Sequence, residues 1–219
     1  LAWNFLRRGK TSEARKSLSA MSSAAPWMST DARALLARAT CDYVDGKADD
    51  ALSTLASAPA GASVTYLRAL CYAAKGMRLK AAAGFLEVAD RHPESPLRDH
   101  ALLAKANSFL AAGDFRSAAE EFARVRDKAQ LPDVQAEADL RGAACVFLSG
   151  SSDSALARLR AVVDAHGGTD VAARAQFLVG EVLFGQKRYA DAIVEYNRVL
   201  ETYFQHAVAA SAQYRVARC

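Results

Sequence analysis

At 219 residues, 52% of them apolar, the chain has enough hydrophobic material to bury a sizeable core as one or two ordinary domains. Its formal charge of +4 arises from 28 basic and 24 acidic residues spread along the sequence, without a basic run of the kind that nucleic acid demands. No apolar stretch approaches the roughly 18 residues that span a bilayer, and no signal peptide or lipid-attachment pattern stands at Leu1. Neither nucleic acid nor insertion in a membrane is therefore expected of this stretch.

Taken from the N-terminus, the pattern is punctuated by glycines at Gly9, Gly46, Gly76, Gly113 and Gly150, and Lys187 stands where the next would fall. The spacings are 37, 30, 37, 37 and 37 residues, a period that marks a repeat architecture. Seven residues before each mark the side chain is small: Ala2, Ala39, Ala69, Ala106, Ala143 and Gly180. Small groups at that point let two helices approach closely. Five residues after each mark lies an alanine (Ala14, Ala51, Ala81, Ala118, Ala155, Ala192), and nine after lies a large apolar residue (Leu18, Leu55, Phe85, Phe122, Leu159, Tyr196). With a third position twelve after (Met21, Ala58, Val88, Val125, Val162, Val199), these form the i, i+4, i+7 stripe of an amphipathic helix. Each unit thus reads as a helix, a glycine turn and a second helix.

The remaining punctuation agrees. Pro26, Pro59, Pro93, Pro96 and Pro132 all fall between the second helix of one unit and the first of the next, where a missing N–H costs least, and Gly167 and Gly168 stand in the same place after the fifth unit. The single short spacing compresses the connection over residues 56–63, where a local change in curvature is expected. The pattern begins inside a helix at Leu1 and stops inside another at Cys219, so residues 1–219 are expected to be one solenoid, a fragment of a longer chain, with an unpaired helix after the sixth unit.

The alanine and glycine columns carry a family resemblance, strengthened by the residue four before the turn (Phe5, Tyr72, Phe109, Leu183). Runs such as Ala112-Gly113-Asp114-Phe115-Arg116-Ser117-Ala118 and Gln186-Lys187-Arg188-Tyr189-Ala190-Asp191-Ala192 add to it. Together they resemble tetratricopeptide repeats, the fourth and sixth units most closely. Thr11, Ala48 and Ser152 replace the aromatic after the turn in units one, two and five, and the common 37-residue spacing exceeds the usual 34 or so. The resemblance implies an all-α, right-handed superhelical solenoid of about six helix-turn-helix units plus the C-terminal helix. It also implies a protein-binding scaffold. The segments His92-Pro93-Glu94-Ser95-Pro96 and Glu201-Thr202-Tyr203-Phe204 are similar to the long repeats of bacterial envelope proteins of the Tol-Pal coordination and outer-membrane assembly lipoprotein kinds. That similarity implies the periplasm or an outer-membrane association, with the cytoplasm as the alternative.

In tetratricopeptide proteins the first helix of each unit lines a concave groove. Positions ten before the turn hold Leu36, Tyr66, Leu103, Leu140 and Phe177, with Tyr214 by extrapolation, and positions three before include Tyr43, Leu110, Phe147 and Phe184. Asn107 and Glu181 add polarity between them. An apolar, aromatic groove of this kind suits an amphipathic helix or an extended segment with apolar anchors. The competing reading packs Tyr66, Phe147 and Phe177 into the neighbouring helices. Three functional readings follow: a scaffold that captures a partner peptide or helix, a structural spacer that self-associates through its ends, or a regulatory domain of a larger protein.

Chemistry is not expected. Cys41, Cys71, Cys145 and, by extrapolation, Cys219 each fall five before a turn, as equivalent small packing residues. Equivalent points on stacked helices lie about 8–10 Å apart, beyond the roughly 7 Å a disulfide allows, so four free thiols are expected. His92, His100, His166 and His206 are dispersed, and His92 and His166 fall sixteen residues after their glycines, at helix ends that favour a cation. With no close ligand pair, no glycine-rich phosphate loop and no cysteine–histidine set, no catalytic residue, metal or cofactor is assigned.

Overall fold

The computed structural model describes residues 2–25, 27 and 30–219. Among them it contains thirteen α-helices and no strand: α1 (Ala2–Leu6), α2 (Thr11–Ala24), α3 (Ala32–Val44), α4 (Ala48–Ala56), α5 (Ala62–Ala74), α6 (Arg78–Arg91), α7 (Arg98–Ala111), α8 (Phe115–Lys128), α9 (Pro132–Leu148), α10 (Ser152–Ala165), α11 (Asp170–Gly185), α12 (Tyr189–Thr202) and α13 (Val208–Arg218). The expected order of six helix-turn-helix pairs and a following helix is what the chain adopts. Pro26 lies outside the described residues; Pro59, Pro93 and Pro96 stand in connections, and Pro132 opens α9, where its absent N–H would be unbonded in any case.

Why the helices stop where they do is visible in the backbone. Gly9, Gly46, Gly76, Gly113 and Gly150 all have φ between 68° and 91°, the left-handed conformation that suits a residue without Cβ. At each, the glycine N–H donates to the carbonyl three residues back, and the next N–H reaches five back, as in Gly113 to Leu110 (3.0 Å) and Asp114 to Phe109 (3.1 Å). This pair of bonds satisfies carbonyls that the helix end would leave open. Lys187 repeats it, donating to Phe184 while Arg188 donates to Leu183, at φ 61°; among the described residues it is the one non-glycine with positive φ.

Contacts between Cα atoms divide the chain into two compact units, Leu1–Ser108 and Phe109–Cys219. Within each, packing is between neighbours in sequence: α3 against α4 and α5 in the first, α9 against α8, α10 and α11 in the second. This is the nearest-neighbour arrangement of a solenoid. The repeat columns form the core. The alanines five after the turn are fully buried in all six pairs, and Leu18, Leu55, Phe85, Phe122, Leu159 and Tyr196 are buried beside them. Gly180 shows why the opposing column is small: a Cβ there would lie 2.7 Å from Cδ1 of Tyr196.

The short repeat has a specific cause. The other described second helices, α2, α6, α8, α10 and α12, each run 14 residues, whereas α4 runs 9 and ends at Ala56. Arg68 of α5 donates to the carbonyl of Leu55 at 3.2 Å, placing a cation at that truncated end.

Candidate protein-interaction surface

Each first helix ends in the left-handed turn, and the turn fixes which of its side chains face the neighbouring core. In the first unit Leu36 and Tyr43 are half-buried and pack against the cluster of Ala39, Leu55 and Leu67. Tyr66 is half-buried with its ring 5.5 Å from that of Phe85, and Leu103 and Asn107 are half-buried on α7.

In the second unit Leu110, Phe147, Phe177, Glu181 and Phe184 are half-buried as well. Leu140 departs from the expectation. It is only 1% exposed and belongs to the core with Leu159 and Val179, because the helices beside α9 close over it. Phe177 lies 5.5 Å from the Tyr196 ring, and Phe184 lies 5.2 Å from Tyr189 in an edge contact. Tyr66, Phe147, Phe177 and Phe184 are thus in contact with neighbouring helices and still part-exposed.

Charges run beside these aromatics, and the sequence reading did not pair them. Glu137 of α9 accepts hydrogen bonds from Arg141 at 2.6 Å and from Arg174 of α11 at 2.9 Å. Burial works against its charge, but the two guanidiniums outweigh it and hold the Glu137 carboxyl below the usual range. Glu137 and Arg174 stand one repeat apart, thirteen before their turns, a shared column that does not by itself show that the two side chains meet. Glu181 accepts the Tyr196 hydroxyl at 2.6 Å and pairs with Arg215 of α13, whose guanidinium also lies 5.3 Å from the Phe184 ring. Burial, and then the neighbouring Glu181 carboxylate, push the Tyr196 phenol well up. Beside this pair is a concavity of about 520 Å³ lined by Phe177, Ala210, Ser211, Tyr214, Arg215 and Arg218. Tyr214, at 62% exposure, is its most open ring.

The four cysteines are free: Cys41, Cys71 and Cys145 are buried, as packing residues should be, and Cys219 is exposed. Burial pushes the Cys71 and Cys145 thiols up to about 11. His92 and His166 occupy the residues that cap α6 and α10. Among the described residues no group of three His, Cys, Asp or Glu side chains could hold a metal ion, and no helix is long and apolar enough to cross a membrane.

Helical hairpins repeated in series, with an apolar first-helix face, define a helical-repeat protein. The chain belongs to the tetratricopeptide repeat-like domain family, whose model matches residues 59–217. A comparison with curated proteins found none that match. Among solved structures it is similar to the apo form of the quorum sensor NprR from B. thuringiensis, with TM-score 0.70 and 11% identity over 99% of this chain and 66% of the sensor. It is also similar to a chain of the APC/C hetero-tetramer Cut9-Hcn1, with TM-score 0.58 and 18% identity over 97% of this chain and 40% of that one. YrrB, a tetratricopeptide repeat protein with an unusual peptide-binding site, matches with TM-score 0.56 and 18% identity over 89% and 98% of the two chains. The chain thus spans less than two thirds of the first two. At these identities the likeness is one of fold, and proteins of this fold commonly mediate protein–protein interaction.

Proposed function

We propose that this chain is a binding scaffold rather than a catalyst, and that the first-helix face of its second unit holds a partner peptide or helix through apolar anchors. The observation that carries the reading is the accessible row of Phe147, Phe177, Phe184 and Tyr214. The nearby carboxylates Glu137 and Glu181 are already matched by Arg141, Arg174 and Arg215. A partner meeting this face finds aromatic rings and paired carboxylates, with the Arg218 guanidinium 5.8 Å from the Tyr214 ring, so burial of apolar area provides most of the attraction. The concavity beside Tyr214 accepts one large apolar side chain of an amphipathic helix or extended segment.

The test is capture of partner from native lysate by the wild-type chain and by Tyr214→Ala, Phe147→Ala and Phe177→Ala, each with a thermal melt. Tyr214 has little core contact, so its truncation should abolish or sharply reduce capture at unchanged stability. Capture that survives all three substitutions would overturn the reading.

We further place this scaffold in a bacterial envelope assembly, in the periplasm or at the outer membrane. The two segments at residues 92–96 and 201–204 support that placement, through their similarity to envelope repeats. Fractionation of the native cell, with the protein found in the cytoplasmic fraction alone, would refute it.

A further inference from the structure

We propose that a notch between α2 and α3 binds a phosphate group. The notch is about 420 Å³ and is lined by Arg15, Leu18, Ser19, Ser22, Ser23 and Arg38. It owes its openness to the truncation of α4. In the second unit the equivalent notch, between α8 and α10 over Gly142, is only about 250 Å³ because Ala161, Val162 and Ala165 in the last turns of α10 wall it in. Counting from the turn glycines, the counterparts of those three are Ser57, Ala58 and Gly61, all beyond the end of α4.

What the open notch offers is a set of hydrogen-bond donors. Arg38 and Arg68 stand eight before their turns and are repeat equivalents, but they are used differently. Arg68 donates directly to the Leu55 carbonyl. At the matching place Ser22 donates to the Leu18 carbonyl at 3.0 Å and accepts from Nη2 of Arg38 at 2.7 Å, so the serine does the capping and most of the guanidinium is left over. Among the described residues Arg38 pairs with no carboxylate, and the Ser19 and Ser23 hydroxyls, on the same side of α2 as Ser22, have no hydrogen-bond partner. Arg15 is committed to Asp42 and Asp45, both at 2.8 Å, and forms a fixed edge instead of a free cation.

A guanidinium and serine hydroxyls on neighbouring turns, with no free carboxylate among the lining residues, match a group that presents several acceptor oxygens. A phosphate, with three terminal oxygens and a double negative charge, uses them more fully than a carboxylate can. The notch is far larger than the anion itself, which leaves room for whatever carries the phosphate. Two sources share this chemistry: free inorganic phosphate, and a phosphoserine on a peptide.

Calorimetric titration at constant ionic strength and neutral pH tests it with inorganic phosphate, a phosphoserine peptide, its unphosphorylated form, and acetate. Saturable binding at a single site is expected for the phosphate-bearing probes only. Tighter binding of the phosphopeptide than of inorganic phosphate assigns the source to a partner protein, and equal affinity assigns it to the free anion. Arg38→Gln should weaken binding about tenfold or more, the scale of a lost hydrogen bond to a charged group. Ser19→Ala/Ser23→Ala, which alters only exposed hydroxyls, should weaken it severalfold with unchanged helicity, and it decides the matter if Arg38→Gln fails to fold. Absence of saturable binding, acetate binding as well as phosphate, or affinity untouched by the serine pair would each overturn the site.

Discussion

Lys187 occupies a backbone conformation that the five preceding turns give to glycine, with φ of 61°. An L side chain there costs about 1–2 kcal/mol, while glycine costs about 0.5–1 kcal/mol in unfolded-chain entropy, so the two nearly offset with the strain ahead. Lys187→Gly should raise stability by up to about 1 kcal/mol, read as a higher urea midpoint with unchanged slope. Gly180 presents the opposite case. The ring that its Cβ would strike is fully buried, and the Tyr196 hydroxyl is tied to Glu181, so the ring has nowhere to swing. Overpacking of this kind costs about 1–3 kcal/mol and exceeds the roughly 1 kcal/mol that alanine gains as a helix former. Gly180→Ala should therefore lower the melting temperature. The cysteines give a third expectation at this scale. With the Cys71 and Cys145 thiols pushed up to about 11 by burial, and Cys41 likewise buried, a thiol reagent should label the exposed Cys219 in the native protein and the other three only on unfolding.

Between elements, the joint of α9 to α11 contains a titratable contact. Glu137 is held below its ordinary value by Arg174 and Arg141, so its folded pKa is lower than its unfolded one. The contribution is therefore complete above the ordinary carboxylate pKa, about 4.3, and is lost as pH falls through the depressed value. The stability gap between wild type and Glu137→Gln should be constant near neutrality and should close in acid, measured by urea melts across that range. At this scale the repeat columns were legible because the same contact is made six times, and six coincidences outweigh the ambiguity of any one position. The ion pairs were not legible. Glu137 and Arg174 share a column, yet opposite charges one repeat apart say nothing about whether their rotamers meet. The end of α4 was half-visible: the 30-residue spacing announced a loss of chain, and the structure assigns five of the missing residues to the helix itself.

For the molecule as a whole, neighbour-only packing has a dynamic consequence. Phe122 is fully buried within the second unit, and truncating such a ring costs about 3–5 kcal/mol. In a chain held by nearest-neighbour contacts that cost stays local. Hydrogen exchange of Phe122→Ala should accelerate in α8, α9 and α10 and leave α3, α4 and α5 unchanged; acceleration spread evenly over the chain would mean a single cooperative core. The succession of helix, left-handed turn and helix was already determined by the sequence, because side-chain size and backbone freedom at fixed offsets are local properties. How much of each first-helix residue reaches solvent was decided by tertiary structure alone. Leu140, Phe177 and Tyr214 share one column, yet the first is core, the second lies half-covered against Tyr196, and the third stands open. A column specifies the direction in which a side chain points, and exposure depends on what the neighbouring helices place in front of it.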